Sequence, residues 1–151
     1  MPDVTVLKTD ATIESVYALE SRPGVPLPLF DGGVSAGFPS PAEDYTGRTL
    51  DLNELLITNP AATFFVRVDG DSMIGAGIHH DDILVVDRSR EAVSGDIVIA
   101  ILDGELTVKR LFRGACRARL IAENPAYPSI DISEDRDCEI WGVVTSVVHR
   151  F

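Results

Sequence analysis

GDIVIAILDGELTVKRLFR, residues 95 to 113, reads as two strands joined by a two-residue turn. Asp103-Gly104 between two apolar runs is a strong short-range hairpin signal, because both turn positions need a positive φ that Asp and Gly tolerate. Outward from this hairpin the strand signals continue. ATFFVRV (62–68), ILVVD (83–87), RARLIAE (117–123) and CEIWGVVTSVVHR (138–150) are short runs rich in β-branched and aromatic residues. Gly142 inside the last run predicts a bend or bulge. One helix is expected, in DLNELLITNP (51–60), with Asp51 as cap, Glu54 three residues on, and Pro60 as stop. Leu52, Leu55 and Leu56 are its expected buried stripe. Many short strands and one helix make the expected fold mostly β.

The N-terminal third reads differently. Residues 1–33 are expected to form an extended arm ending in SRPGVPLPLFDGG, whose prolines and glycines oppose regular structure. Within it, Val4–Leu7 suits a short strand and Ala11–Glu20 a marginal helix. Neither carries enough apolar surface to fold alone. VSAGFPSP (34–41) follows, too apolar for an ordinary exposed loop and too broken for a helix or core strand.

The 151 residues suffice for one domain with a real core. No apolar run approaches the ~20 residues of a membrane span, and the N-terminus lacks the basic and apolar regions of a secretory signal. A soluble cytoplasmic protein is the expectation. The formal net charge of −11 disfavours direct DNA binding. Lys109, Arg110, Arg113, Arg117 and Arg119 cluster locally, but strand alternation divides them between two faces. Cys116 and Cys138 form no metal pattern and read as small apolar residues. His79 and His80, being adjacent, cannot pair at i, i+4 on a helix. With His149 they read as polar loop residues, and no metal or cofactor is expected.

GDSM (70–73) directly follows the strand ATFFVRV. Gly lets the chain turn sharply, and successive N–H groups at such a turn can stabilise an oxyanion. Ser72 there is either a nucleophile or simply a turn residue. A nucleophilic serine needs a base. Only two of the thirteen basic residues are lysines, Lys8 and Lys109. Alternation puts Lys109 on one face with Thr107 and Leu111. Desolvation there would lower its pKa towards that of a general base. The other reading is a packed stem with its head in water. Spacing alone favours the packed stem.

The longer pattern narrows them. GDSM, DDILVVDRS and GDIVIAILDGELTVKRL, with FPSPAEDY and DLNELLITNPAATFFVRVDGDSM, resemble the LexA/UmuD family of self-cleaving serine peptidases, most closely its UmuD-like members. The resemblance spans nearly all of residues 37–148. It implies a LexA/signal-peptidase-like β fold, Ser72 as nucleophile and Lys109 as general base, with backbone N–H groups of Asp71 and Ser72 at the oxyanion. It places the cut at Ala36-Gly37, which would divide the chain into an arm, 1–36, and a peptidase domain, 37–151. VSAGFPSP is then a built-in substrate. The implied partners are a second copy in a homodimer, a RecA–single-stranded DNA filament as trigger, and a UmuC-like Y-family polymerase that takes the trimmed product in the SOS response. A LexA-like repressor would need a DNA-binding domain before the cut, and 36 residues are too few for one. A non-enzymatic polymerase-binding module is the other alternative, and the presence of both Ser72 and Lys109 opposes it.

Overall fold

A computed structural model describes residues 13–18, 23–29, 48–132 and 136–151. The proposed cleavage bond Ala36-Gly37, Val34 and the strand expected at Val4–Leu7 lie outside them. The chain divides into two units, Ser21–Thr58 and the remainder.

The larger unit is built on strands β1 (Ile13–Ala18), β4 (Thr63–Val68), β5 (Ile83–Asp87), β6 (Ile97–Leu102), β7 (Glu105–Arg113), β8 (Ala118–Ile121), β9 (Ile130–Ile132) and β10 (Cys138–Val148). They form one sheet in the order β1-β4-β5-β10-β6-β7-β8-β9, antiparallel throughout. The Asp103-Gly104 turn forms as expected, with φ of 50° and 84° joining Leu102 to Glu105. The turn also contacts the residues that lead into β10. Asp103 N–H donates to the Asp137 carbonyl at 2.8 Å, and Arg136 pairs with the Asp103 carboxylate at 3.2 Å.

β10 holds the sheet together because its two halves serve different neighbours. Its first half pairs with β6 and its second with β5, with register shifts at Ile140/Gly142 and Val144/Ser146. A bulge bends and twists a strand, which lets one chain segment follow both partners. Glycine is required at the first shift, since a Cβ on Gly142 would stand 2.5 Å from a Val86 methyl carbon. The faces of the sheet carry separate apolar clusters. One gathers Ile13, Val66, Met73, Leu84, Val108 and Trp141, among others. The smaller one gathers Val98, Ala100, Leu111, Leu120 and Val143.

The helix expected over 11–20 is a strand over its described part. β1 pairs with β4 from Ile13↔Val68 to Ala18↔Phe64. Ile13 and Val16 enter the larger core. A segment with β-branched and aromatic residues and weak helical preference takes the conformation its neighbour's free edge offers. β9 was likewise missed, since three residues after a proline-marked turn carry almost no periodic signal.

The smaller unit holds β2 (Leu27–Pro28) paired with β3 (Thr49–Leu50), and helix α1 (Leu52–Leu56). The pairing departs from the expectation that SRPGVPLPLFDGG resists regular structure, although it extends over only two residues of each strand. Asp51 caps α1 as expected, its carboxylate accepting from Asn53 N–H at 2.9 Å. The helix ends at Leu56, before Pro60, and its expected buried stripe is not buried. Leu52 and Leu55 are each 61% exposed. A helix of five residues makes barely more than one turn and presents no continuous stripe to a core.

Candidate active site

The sheet brings Ser72 and Lys109 together although 37 residues separate them. β4 delivers the chain to Gly70, whose φ of 94° is the left-handed conformation that a side chain would strain. The turn Asp71-Ser72-Met73 follows, and a short 3-10 turn over Ile74–Ala76 ends it. Met73 is buried in the larger core and anchors the turn from below. Lys109 comes from the middle of β7, on the same face as Thr107.

Lys109 Nζ lies 3.3 Å from Ser72 Oγ, 3.0 Å from Thr107 Oγ1 and 3.1 Å from the Val108 carbonyl oxygen. Ser72 is 5% exposed and Lys109 6% exposed. The reading of Lys109 as a packed stem with its head in water is therefore set aside, because the amine itself is enclosed. An ammonium there has lost most of its water, and three protein oxygens stand within hydrogen-bonding reach of it. A hydroxyl and an amine held this way can exchange a proton directly, which is the geometry a serine nucleophile and a lysine base require.

The turn is also gripped from the β8–β9 connection. Asn124 Nδ2 donates to the Asp71 carbonyl at 3.0 Å, and Ile74 N–H donates to the same oxygen at 3.2 Å. Tyr127 O–H donates to the Asp71 carboxylate at 2.8 Å. Gly75 N–H donates to the Glu123 carbonyl at 2.8 Å, and the Glu123 carboxylate pairs with Arg110, the neighbour of Lys109. In a trans peptide the N–H points opposite to the C=O. Holding the Asp71 carbonyl on one side therefore aims the Ser72 N–H to the other. The Tyr127 phenol is raised above its ordinary value, first by its hydrogen bond to Asp71 and then by that carboxylate's charge. Sequence reasoning missed Asn124 and Tyr127. Pro125 and Pro128 announced a turn there, but nothing in the sequence linked it to Asp71 more than fifty residues earlier.

An open apolar groove runs from the same loop to the central strand, lined by Ala76, Ile78, Ile97 and Val144–Val147. A second polar cluster lies where β5 begins and β10 ends. Asp82 is 2% exposed, and its carboxylate meets His149 Nδ1 at 2.5 Å and His79 Nδ1 at 3.6 Å. Burial works to raise the Asp82 carboxyl. Hydrogen bonds from His79 N–H and from His149, with the charge of both imidazoles, outweigh it and hold the group below its usual range. His79, His80 and His149 are exposed and lie outside the strands, as polar loop residues, and the β5–β10 register sets His149 beside Asp82. His80 stands apart from this pair and accepts from Gly70 N–H at 3.1 Å. Among the described residues, no helix is long and apolar enough to cross a membrane.

Comparison with known proteins identifies the family. The Peptidase S24-like family model matches residues 28–145. Protein SamA of Salmonella typhimurium is 52% identical over 123 residues, 82% of this chain and 85% of that protein. Protein MucA of Escherichia coli is 46% identical over 120 residues, 79% of this chain and 82% of its own. The LexA repressor of Xylella fastidiosa is 38% identical over 130 residues, 86% of this chain but 61% of the repressor. With the match covering most of its length and a mostly β architecture, the chain belongs to the Peptidase S24-like family and is a UmuD-like member of it.

Proposed function

We propose that this protein is a self-cleaving serine peptidase of the SOS response that cuts its own Ala36-Gly37 bond. The observation that carries the reading is the buried 3.3 Å contact between Ser72 Oγ and Lys109 Nζ. Neutral Lys109 takes the Ser72 proton as Oγ attacks the Ala36 carbonyl carbon. The resulting oxyanion is received by the N–H groups of Asp71 and Ser72, each worth about 3 kcal/mol in the transition state. Lys109 returns the proton to the Gly37 nitrogen as the C–N bond breaks. Water, deprotonated by Lys109, then releases the acyl group. The products are residues 1–36 and 37–151. The Thr107 hydroxyl and the Val108 carbonyl hold Nζ in line for both transfers. No cofactor enters the scheme.

The wider role rests on the family. We place the chain in SOS mutagenesis, as a homodimer whose cut is stimulated by a RecA–single-stranded DNA filament. The filament would act by favouring a competent state already present at low population. The trimmed form would then serve a UmuC-like Y-family polymerase, in the cytoplasm.

The test is the intact mass of purified protein held near neutral pH and near pH ~10, around the reference pKa of lysine. Ser72→Ala and Lys109→Ala run beside it. The expected result is a fragment beginning at Gly37, faster at high pH and absent from both variants. If no cut occurs at this bond even with the filament added, the chain is a folded binding module and the proposal fails.

A further inference from the structure

We propose that His79, Asp82 and His149 form a binding site for one divalent transition-metal ion of the zinc, cobalt or nickel type, which clasps the end of β10 to the loop that follows the nucleophile. The inference is independent of whether the chain cuts itself. Each residue offers one ligand atom, and the three atoms lie within 4.8 Å of one another. Bonds of about 2.0–2.2 Å to imidazole nitrogen and carboxylate oxygen need ligand atoms roughly 3–4 Å apart. The His79 contact of 3.6 Å already lies in that range, and the 2.5 Å His149 contact must open by about an ångström, which a rotamer-scale adjustment of a half-exposed imidazole allows. The ion would take the position now held by the proton between His149 Nδ1 and the Asp82 carboxylate, a contact of 2.5 Å.

Three further features point the same way. The ligands sit on rigid elements, since Val148 pairs with Ile83 in the β10–β5 ladder and so sets the residues on either side next to each other. The carboxylate is oriented before any ion arrives, because His79 N–H donates to Asp82 Oδ2 at 2.8 Å. The surroundings favour a cation. Asp69 and Asp81 flank the loop through His80, at 3.3 and 3.6 Å. The Phe151 ring packs edge-on against His149 with centroids 5.4 Å apart and shields one side. Two nitrogen ligands and one carboxylate suit zinc, cobalt or nickel better than magnesium or calcium, which prefer oxygen. Three protein ligands leave the fourth position to water. The loop is joined to the nucleophile turn by His80 and Gly70, and to β4 by Val68 N–H donating to the Asp82 carbonyl at 2.9 Å. The ion would therefore stiffen the support of Ser72 without touching it.

The test uses the full chain carrying Ser72→Ala, stripped with a chelator and then freed of it. Cobalt is titrated in and read by the visible absorption of its tetrahedral complexes, then displaced with zinc. Thermal unfolding is recorded with and without zinc. His79→Gln, His149→Gln and their double form the main series, and Cys116→Ser with Cys138→Ser controls for thiol binding. The expected result is one saturable equivalent with a zinc-dependent rise in Tm. Either single histidine change should weaken binding at least as much as loss of an outer-shell partner does, about 10–100-fold. The double change should abolish both the binding and the rise in Tm. Asp82→Asn, with its fold checked by circular dichroism, should also lose the ion. Absence of saturable cobalt binding, equal affinity in the double histidine variant, or loss only in the cysteine variant would each overturn the site.

Discussion

Ile13→Ala tests how the N-terminal segment is attached to the sheet. Ile13 is 0% exposed, packs in the larger core and pairs with Val68 on β4. Truncation removes three carbons, about 0.8 kcal/mol each in transfer alone. The cavity left behind raises the usual cost of such changes to about 2–5 kcal/mol. An edge strand relaxes more easily than a central one, so about 3 kcal/mol is expected, roughly a 150-fold change in an equilibrium constant. The assay is urea unfolding together with amide hydrogen exchange, in a Ser72→Ala background so that no cut intervenes. If β1 opens with the whole sheet, the unfolding free energy measured in urea falls by the full amount. If β1 opens by itself, exchange at the β1–β4 ladder rises about 100-fold while the β5–β10 ladder is unchanged. Ala18→Ser, on an exposed position of the same strand, should stay within about 0.5 kcal/mol. A change for Ile13→Ala below about 0.5 kcal/mol by both measures would refute the docking of β1, since surface positions show effects of that size. The same reasoning predicts that residues 1–36, once cut off, remain bound to the body through β1. They should co-elute with it on size exclusion until Ile13→Ala weakens the strand.

Asn124→Ala should slow the proposed self-cleavage about fivefold with little loss of stability, because one hydrogen bond of about 1 kcal/mol no longer aims the Ser72 N–H. The time course of intact mass at fixed pH measures it, and an unchanged rate would remove Asn124 from the positioning of the turn. Spectrophotometric titration should find the Tyr127 phenol raised, and Asp71→Asn should bring it down. Because the neutral phenol is the form favoured in the fold, its contribution is complete below the unfolded pKa of about 10 and is lost as pH rises through the folded value. Cys138 should alkylate more slowly than exposed Cys116, since burial pushes the Cys138 thiol up and thins its thiolate. Peptide mapping after brief iodoacetamide treatment would show the order, and equal labelling would contradict the burial.

What was legible in the sequence was local or carried by motif. The Asp103-Gly104 turn, the strands around it, the Asp51 cap and the bulge at Gly142 all follow from backbone preferences that a few neighbouring residues set. The pairing of Ser72 with Lys109 was read from the motifs as a pattern, with spacing alone leaving each residue a bland alternative. Only the sheet register brings the two within 3.3 Å and encloses the lysine amine. Tertiary context decided the rest. Residues 13–18 became a strand because β4 offered a free edge, and pairing outweighs a weak helical preference. Leu52 and Leu55 stayed exposed because α1 is too short to present a stripe. Asn124 reached Asp71, and His149 reached Asp82, across 53 and 67 residues. Contacts between distant segments leave no period or spacing in a single chain, so folding alone reveals which polar groups become partners.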